Sequence, residues 1–418
     1  MLTPHLHRVE PHGELVYENI RLSDIARKFG TPSYVYSRAA IVDNFRSYQQ
    51  AFAQSKPLIC YAVKANSTLS VLALLASEGA GFDIVSGGEL QRVIAAGGDS
   101  RKVIFSGVAK REDEIALALS HNIHCFNIES EAELHRVNEV AIAHGKRARI
   151  TFRINPDVDA RTHPYISTGL KSNKFGVAHA DAVRLYVLAA SMAGIEVHGI
   201  ECHIGSQITE LSPYVDALQR LLSLVDDLSA RGIHLQHLDI GGGRGINYQG
   251  ESMVPMPEFA QAVQREIADR HLDLLIEPGR SIVGDAGLLL TRVEFLKPGE
   301  TKNFALVDAA MNDLIRPTLY DAFHPVEPVI AREGAAVLYD VVGPVCESGD
   351  WLAKDRELVL AQGDLLAVLC AGAYGMTMAS NYNTRPRPCE VLVDGDEVHL
   401  IRERERFEDL IAHERIVV

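Results

Sequence analysis

The sequence is poor in cysteine and tryptophan, and it has no long apolar run. Its six cysteines are scattered over 418 residues without a C-x-x-C pair, so neither a zinc-finger set nor a disulfide framework is expected. The mostly apolar, uncharged run 365–380 contains glycines and is shorter than the roughly 20 residues that cross a bilayer. The first residues lack the basic and apolar parts of a signal peptide. We therefore expect a reducing, cytoplasmic setting and no membrane partner.

Basic residues are in the minority. The sequence has 41 lysines and arginines against 55 aspartates and glutamates, a formal net charge of -14. No local basic stripe compensates, so the average field repels a phosphate backbone and nucleic acid is not an expected partner. Apolar residues make up 47% of the chain, which is typical of a globular protein with a large buried core.

Short apolar runs alternate with helical patterns through the first two thirds of the chain. Ser-x-x-Glu boxes that begin at Ser86 and Ser130 predict two helix starts between these runs. Eight strand and helix units match an α/β fold of the (β/α)8 TIM-type barrel in count and length. The eight predicted strands are LICYAV, GFDIV, KVIF, IHCFNI, RITFRI, VHGIECHI, LQHLDI and LDLLI.

After residue 284 the pattern changes to strands without long intervening helices. This predicts an antiparallel all-β domain, with one hairpin turning through Asp394-Gly395. A strand candidate at 15–17 suggests that the N-terminal segment joins the β domain. The predicted limits are 1–30 for that segment, 31–284 for the barrel and 285–418 for the β domain. Two long loops, 155–176 and 241–257, are candidates for a functional role.

Polar residues follow the predicted barrel strands, where barrels of this kind build their active sites. The triple glycine after the seventh strand leaves backbone N–H groups open to an anion, and barrels commonly hold phosphate there. A tight turn that needs positive φ explains the glycines equally well. The candidate residues at strand ends are Lys64, Asp83, His203, Ser206, Gly241, Gly242, Gly243, Glu277, Pro278, Gly279 and Arg280.

Lys64 ends an otherwise apolar strand. Burial lowers the pKa of an amine from about 10.4, and the unprotonated amine can form a Schiff base with a carbonyl. An ion pair is the plainer interpretation, but a lysine and a phosphate site in one barrel mouth together favour pyridoxal phosphate. Glu277 could then hold a proton on the pyridine nitrogen, or form a salt bridge with Arg280. His203 could stack on the ring or be an ordinary core histidine.

Five motifs, in order over essentially the whole chain, resemble those of the fold-type III pyridoxal-phosphate decarboxylases. They are Tyr61-Ala-Val-Lys64-Ala-Asn66, His203-Ile-Gly-Ser206-Gln207, Gly241-Gly-Gly243, Glu277-Pro-Gly-Arg280 and Cys346-Glu-Ser-Gly-Asp350. Within this family the chain most resembles the members that convert meso-2,6-diaminopimelate to L-lysine. That narrower resemblance rests on Arg316-Pro-Thr-Leu-Tyr320, Cys346-Glu347-Ser and Asn383-Thr-Arg385-Pro-Arg387-Pro. Relatives that act on ornithine or arginine typically have an aspartate in place of Glu347.

The resemblance implies a role for each matched residue. Lys64 would bind the cofactor, His203 would stack on its ring and Glu277 would pair with the pyridine nitrogen. Cys346 would protonate the substrate carbon and, with its neighbour Glu347, would reach the site of a partner subunit, which implies a homodimer. The further cofactor contacts would be Asp83, Ser206, Gly241, Gly242, Gly243, Pro278, Gly279, Arg280 and Tyr374. The substrate contacts would be Arg280, Arg316, Tyr320, Glu347 and Tyr374. No metal is expected.

Two other functions stay open at this point. One is a related decarboxylase of another basic amino acid or of carboxynorspermidine, in which Arg316 and Tyr320 would not contact a carboxylate. The other is a cofactor-binding regulator without turnover. The presence of Lys64, Glu277 and Cys346 together argues against the regulator, since a protein without turnover has no need of all three.

Overall fold

The computed structural model describes residues 3–158, 173–268 and 270–417. Much of the long loop expected at 155–176 lies outside this described part. Two compact units make up the chain: a barrel unit of residues 44–246 and 252–281, and a β unit of residues 1–43, 247–251 and 282–418. The domain limits proposed from the sequence stay a prediction.

The first part of the chain contains four short strands and two helices. The strands β1, β2 and β3 form a small antiparallel sheet, and the strand expected at 15–17 corresponds to β2. The bounds are β1 (Leu6–Val9), β2 (Glu14–Tyr17), β3 (Ile20–Arg21), α1 (Leu22–Phe29), β4 (Ser33–Ser37) and α2 (Arg38–Ala51).

Strands and helices then alternate through the barrel unit. Short 3-10 turns follow at Val63–Ala65 and Ser100–Lys102. None of the helices in the described ranges is both long and apolar enough to cross a membrane. The bounds are β5 (Leu58–Ala62), α3 (Leu69–Ser77), β6 (Gly81–Ile84), α4 (Gly87–Ala95), β7 (Val103–Phe105), α5 (Glu112–Ser120), β8 (Cys125–Ile128), α6 (Glu131–Ala143), β9 (Ala148–Asn155), β10 (Val177–Ala178), α7 (His179–Ala190), β11 (Ile195–Glu201), α8 (Ser212–Ser229), β12 (His237–Asp239), α9 (Met256–Ile267), β13 (Asp273–Ile276) and α10 (Arg280–Val283).

Eight of these strands form a closed parallel barrel. Their order is β9-β11-β12-β13-β5-β6-β7-β8, and β8 pairs with β9 to close the ring. The predicted barrel is confirmed, and its strands lie at the eight predicted places. Ser86 and Ser130 cap α4 and α6, where their hydroxyls accept the N–H groups of Glu89 and Glu133. These two serines therefore mark helix starts as the sequence indicated.

The barrel interior is a packed core. Cys60, Ile104, Cys125 and Leu275 come from four different strands and bury their side chains against one another. Layers of side chains from several strands are the usual filling of such barrels. All six cysteines of the chain are free thiols, and all but Cys346 are buried, which agrees with the absence of a disulfide framework.

The β unit contains a larger sheet with the order β18-β17-β15-β14-β4-β20-β21, and β16 and β19 extend it beside β14. Most pairings are antiparallel, as expected, but β15 pairs with β17 and β4 pairs with β20 in parallel. The bounds are β14 (Gly287–Lys297), β15 (Asn303–Val307), α11 (Arg316–Tyr320), β16 (Val326–Pro328), β17 (Val337–Val342), β18 (Trp351–Leu358), β19 (Leu365–Val368), β20 (Cys389–Asp394), β21 (Glu397–Arg402) and α12 (Phe407–Ile411). Short 3-10 turns lie at Met376–Met378 and Tyr382–Thr384.

Candidate active site

Lys64 lies just beyond the carboxyl end of β5, in the 3-10 turn Val63–Ala65. Its Nζ is 2.5 Å from Oδ2 of Asp83 in β6. The Asp83 side chain is fully buried, whereas 34% of the Lys64 side chain is exposed. This ion pair holds the amine at the mouth of the barrel, where a small molecule can reach it.

A cavity of about 430 Å³ adjoins this amine. Lys64, Arg153, Phe175, His203 and Glu277 are among its lining residues. Its volume is in the range of small-molecule sites, which is about 300–1,000 Å³. Three of the strand-end residues predicted from the sequence therefore share one cavity.

The carboxyl groups of Glu201, Asp239 and Glu277 are also buried in the barrel unit. Burial, together with the negative charges of Asp239 and Asp83, raises the pKa of Glu277 well above its usual value. Burial also raises the pKa of Asp239 to about 7. Asp83 Oδ1, Glu201 Oε2 and Asp239 Oδ2 are buried without a hydrogen-bond partner in the described part of the chain. Such a surplus of carboxyl groups favours a bound cation.

Arg153, in β9, is a site residue that the sequence analysis missed. Its Nη1 donates to Glu129 Oε1 at 3.2 Å, and its Nη2 donates to the backbone oxygen of His203 at 3.2 Å. The Phe175 ring centre is 4.8 Å from the guanidinium carbon. Burial by itself lowers the pKa of Arg153, but the negative charges of Glu201 and Glu129 have a larger combined effect, so the pKa of Arg153 is raised. A charged residue inside an otherwise apolar strand was the signal available in the sequence.

Asn127, in β8, is a second missed residue. Its Nδ2 donates to Glu277 Oε1 at 3.4 Å and to Ser106 Oγ at 3.2 Å. All three side chains are buried, so the amide restricts the orientation of the Glu277 carboxyl group. Its signal was likewise a polar residue within a strand, in the run IHCFNI.

His203 presents a neutral ring. The backbone N–H of Gly242 donates to its Nδ1 at 3.2 Å, so this nitrogen carries a lone pair. Burial, followed by the positive charges of Arg153 and Lys64, lowers the pKa of His203 well below its usual value. The ring is therefore uncharged at physiological pH, with its proton on Nε2.

The glycines after β12 allow close backbone packing. Gly243 has φ +98°, and a Cβ on it would lie 2.2 Å from the backbone oxygen of Gly205. Gly242 likewise leaves no room for a Cβ, which would lie 2.0 Å from the backbone oxygen of Glu277. In the same unit, Arg280 Nη2 donates to Ser206 Oγ at 3.0 Å. Compact backbone, a hydroxyl and a guanidinium are the groups that bind phosphate.

Replacing Gly243 with alanine is expected to lower the free energy of unfolding by about 2–4 kcal/mol, because the new Cβ would collide with backbone. Gly232 is a matched control, since it has φ +80° and no atom within 4 Å of a Cβ. In its alanine variant the free energy of unfolding should fall by only about 1–2 kcal/mol, the cost of the left-handed backbone conformation. Urea unfolding of both variants measures the difference, and equal losses would contradict the steric argument.

Gly241, Pro278 and Gly279 belong to the barrel unit, whereas the predicted site residues after residue 281 belong to the β unit. Arg316, the first residue of α11, is buried, and Tyr320 ends the same helix. Arg316 Nη1 donates to the Tyr248 hydroxyl at 3.0 Å and lies 2.9 Å from His324 Nε2. These contacts fix the position of the guanidinium within the unit.

Cys346 and Glu347 are exposed. The N–H of Cys346 donates to Asn383 Oδ1 at 3.0 Å, and Glu347 Oε1 accepts from the Tyr382 hydroxyl at 2.5 Å. Tyr374 is half-buried with φ +56°, a conformation that is uncommon outside glycine. The roles predicted for these three residues stay predictions.

The family model "Pyridoxal-dependent decarboxylase, pyridoxal binding domain" matches residues 38–284. This chain belongs to the pyridoxal-dependent decarboxylase family. The decarboxylase is 57% identical to a diaminopimelate decarboxylase of Neisseria meningitidis, over 96% of this chain and 97% of that relative. The family resemblance seen in the sequence is therefore confirmed.

Solved structures agree with this assignment. The decarboxylase is similar to the diaminopimelate decarboxylase from Helicobacter pylori complexed with L-lysine, with a TM-score of 0.91, 43% identity and coverage of 94% of this chain and 98% of that chain. It is also similar to the diaminopimelate decarboxylase from M. jannaschii in co-complex with L-lysine, with a TM-score of 0.94, 37% identity and coverage of 100% and 99%. The expected fold class and enzyme class are confirmed.

The barrel of the decarboxylase fits pyridoxal phosphate, as the family requires. The amine of Lys64 adjoins the cavity. The buried carboxyl groups around Glu277, with their unpartnered oxygens, suit a protonated pyridine nitrogen. The glycine turn near Gly243, with Ser206 and Arg280, suits the phosphate. The cofactor expected from the sequence is thereby confirmed for this family member.

Proposed function

We propose that this decarboxylase converts meso-2,6-diaminopimelate to L-lysine and carbon dioxide, the last step of lysine biosynthesis. The observation that carries the proposal is that Lys64 and Glu277 line one cavity in a chain whose relatives at 56–57% identity are diaminopimelate decarboxylases. The L-lysine named with two of the similar structures is the product of this reaction.

Pyridoxal phosphate, when bound, accepts the electron pair that stays on the substrate carbon after carbon dioxide leaves. Lys64 Nζ would hold the cofactor by a covalent bond. Asp83 Oδ2 accepts a hydrogen bond from this amine and so directs it toward the cavity. The exposed third of the Lys64 side chain leaves the amine room to move during turnover.

Glu277 would keep the proton on the pyridine nitrogen of the bound cofactor. Its carboxylate is buried, where a charge interaction is strong, and Asn127 Nδ2 orients it from 3.4 Å. The neutral ring of His203 would stack on the cofactor without repelling this positive charge. Both residues thereby help the cofactor to accept electrons.

Ser206, the glycine turn 241–243 and the backbone of residues 277–280 would hold the phosphate. Arg280 would contribute its backbone to this group, and the hydrogen bond from its side chain to Ser206 Oγ keeps the two residues together. Tyr374 would contribute its hydroxyl to the phosphate.

Substrate selection depends on the carboxylate that the reaction does not remove. Arg280, Arg316 and Tyr320 bind this distal carboxylate, and Glu347 binds the distal ammonium group. The contacts of Arg316 with Tyr248 and His324 support a fixed guanidinium there. Lysine and ornithine lack the distal carboxylate, so binding them would leave a buried arginine without its anion. The site therefore favours the substrate over its product lysine.

Cys346 donates the proton to the substrate carbon. The exposure of Cys346 and Glu347 supports their reaching the active site of a partner subunit, so the active form is a cytoplasmic homodimer. A monomeric form would lack both groups and would be inactive.

Replacing Cys346 with alanine is expected to slow lysine formation by about 10²–10⁴-fold, the usual contribution of a positioned acid. The cofactor absorbance should stay, because no cofactor contact is lost. Alanine at the exposed neighbour Ser348 is the control and should leave the rate within about twofold. Steady-state rates and absorbance spectra of both variants decide the point; an unchanged rate for the cysteine variant would rule it out as the essential donor.

The whole proposal is tested by carbon dioxide release from meso-diaminopimelate, lysine, ornithine, arginine and carboxynorspermidine, with pyridoxal phosphate supplied and the products identified by mass. We expect release from diaminopimelate alone, with lysine as the product. Release from another substrate in place of diaminopimelate would support decarboxylase activity but contradict the proposed substrate specificity. No release from any of them would contradict the proposal.

A further inference from the structure

Three histidines lie together toward the amino-terminal ends of the barrel strands, at the opposite end of the strands from Lys64. His124 precedes β8, His198 is in β11 and His237 is the first residue of β12. One nitrogen from each ring lies within 4.8 Å of the other two, and the ring centres are 5.2–5.7 Å apart. The proposed reaction makes no use of this histidine cluster.

Each ring of the cluster has one buried nitrogen without a hydrogen-bond partner among the described residues. These atoms are His124 Nε2, His198 Nδ1 and His237 Nδ1. A buried polar atom left unpaired is energetically unfavourable. Three such atoms in one place therefore point to a ligand that would contact them all.

The strands are adapted to accommodate these rings. His198 occupies a β-bulge in β11, where the register against β9 shifts between Val197 and Gly199. A Cβ at Gly199 would lie 2.2 Å from Nε2 of His237, so only glycine leaves room for that ring. Bulges commonly redirect a side chain at functional sites. Both features favour the approach of His198 and His237.

One tautomer of His237 leaves the unpartnered nitrogen free to coordinate. Its Nε2 is 2.8 Å from Thr151 Oγ1, and the Thr151 hydroxyl is also 3.5 Å from Cys125 Sγ. When the Thr151 proton lies on Cys125 Sγ, His237 Nε2 carries the hydrogen and donates it to Thr151 Oγ1. Nδ1 then has the lone pair. Metal-binding histidines are typically anchored in this way through their second nitrogen.

The charges around the cluster are mixed. Arg149 has the largest charge effect on His198 and opposes a positive charge there, whereas Asp273 and Glu196, whose Oε1 is 3.9 Å from His198 Nδ1, act in the opposite sense. Burial lowers the pKa of His124 to about 4, and burial also lowers the pKa values of the other two rings. The imidazoles are therefore neutral, as metal ligands must be.

We propose that His124, His198 and His237 bind one zinc ion, with water or the carboxylate of Glu196 in the fourth position. An ion at the centre of the three nitrogens would be at most about 2.8 Å from each, against the usual Zn–N distance of about 2.0–2.1 Å. Each ring thus needs to close by about 0.7 Å. Imidazole ligands select zinc rather than magnesium or calcium. The ion would join the ends of β8, β11 and β12 and stabilise the barrel.

The test uses the full-length holoenzyme, dialysed against a chelator and then titrated with zinc, cobalt(II) or magnesium. We expect about one zinc ion per chain, a higher melting temperature with zinc and no effect of magnesium. Cobalt should show weak visible bands without thiolate charge transfer. Because Cys346 is an exposed thiol, the titration is repeated with Cys346→Ser. Failure of the wild-type protein to bind zinc would overturn the proposal.

Variants locate the ion. His124→Gln and His198→Gln should each weaken zinc binding by at least about tenfold, whereas the exposed His135 changed to alanine should bind as the wild type does. Two separate ligand variants keep the test valid if one fails to fold, which circular dichroism reveals. Unchanged affinity in a folded ligand variant would place the zinc elsewhere and overturn the proposal. Lysine formation is measured in parallel, and its failure in the wild type would contradict the proposed function without affecting the zinc result.

Discussion

Replacing Lys64 with alanine is expected to abolish the imine absorbance band and to lower the rate of carbon dioxide release by about 10⁴-fold or more, the scale seen when a covalent catalyst is removed. Lys64 is the amine that lines the cavity beside Glu277, and alanine has no group that can bond to the cofactor. Asp83, buried with Oδ2 2.5 Å from Nζ, would lose its cation. Absorbance spectra and borohydride reduction followed by mass mapping measure the loss.

Lys64→Arg is the matched control for this variant. Arginine keeps a positive charge near Asp83 but stays protonated and forms no imine. We expect it to restore stability lost in the alanine variant without restoring turnover. A borohydride-reducible imine that persists in either variant would refute the assignment of Lys64.

Replacing Glu277 with glutamine is expected to lower kcat by about 10²–10³-fold, the cost of removing one preorganised electrostatic contact. Glutamine keeps the size of the side chain and can still face Asn127, but it has no negative charge to hold a proton on the pyridine nitrogen. The imine band should remain, because Lys64 is intact. Single-turnover rates separate this effect on chemistry from any effect on product release.

Asp239→Asn is the control variant, because it also removes one buried carboxyl group near Glu277. Asp239 Oδ1 accepts the N–H of Gly241 at 2.8 Å, and asparagine can keep this bond. We expect its kcat to change by less than about tenfold, since Asp239 has no assigned contact with the ring. Equal losses in the two variants would mean that total charge, not the position of Glu277, matters.

The barrel could be predicted from the sequence because buried parallel strands read as continuous apolar runs. The sheet of the β unit was harder. The strand β18 is WLAKDREL. Its charged residues suit the edge position that it occupies, but a search of the sequence for apolar runs does not find such a strand. The parallel pairing of β4 with β20 joins segments from the two ends of the chain, and no local pattern indicates such a partner.

The site was predictable where a rule links sequence position to barrel geometry. Lys64, His203 and Glu277 follow strands, and strand ends meet at the mouth of a barrel. Arg153 and Asn127 lie inside strands, and their partners come from distant parts of the sequence. The histidine cluster was missed for the same reason, since its three members share no motif.

The position of β4 in the sheet of the β unit has a consequence for the order in which the protein folds during synthesis. β4 (Ser33–Ser37) lies between β14 and β20, so it leaves the ribosome long before either neighbour exists. The barrel segments between them can pair among themselves as they emerge, since domains generally fold as units during synthesis. β4 has both edges unpaired until β14 emerges, and it keeps one edge unpaired until β20 emerges. A chain released before β20 would therefore expose this edge to association with other chains.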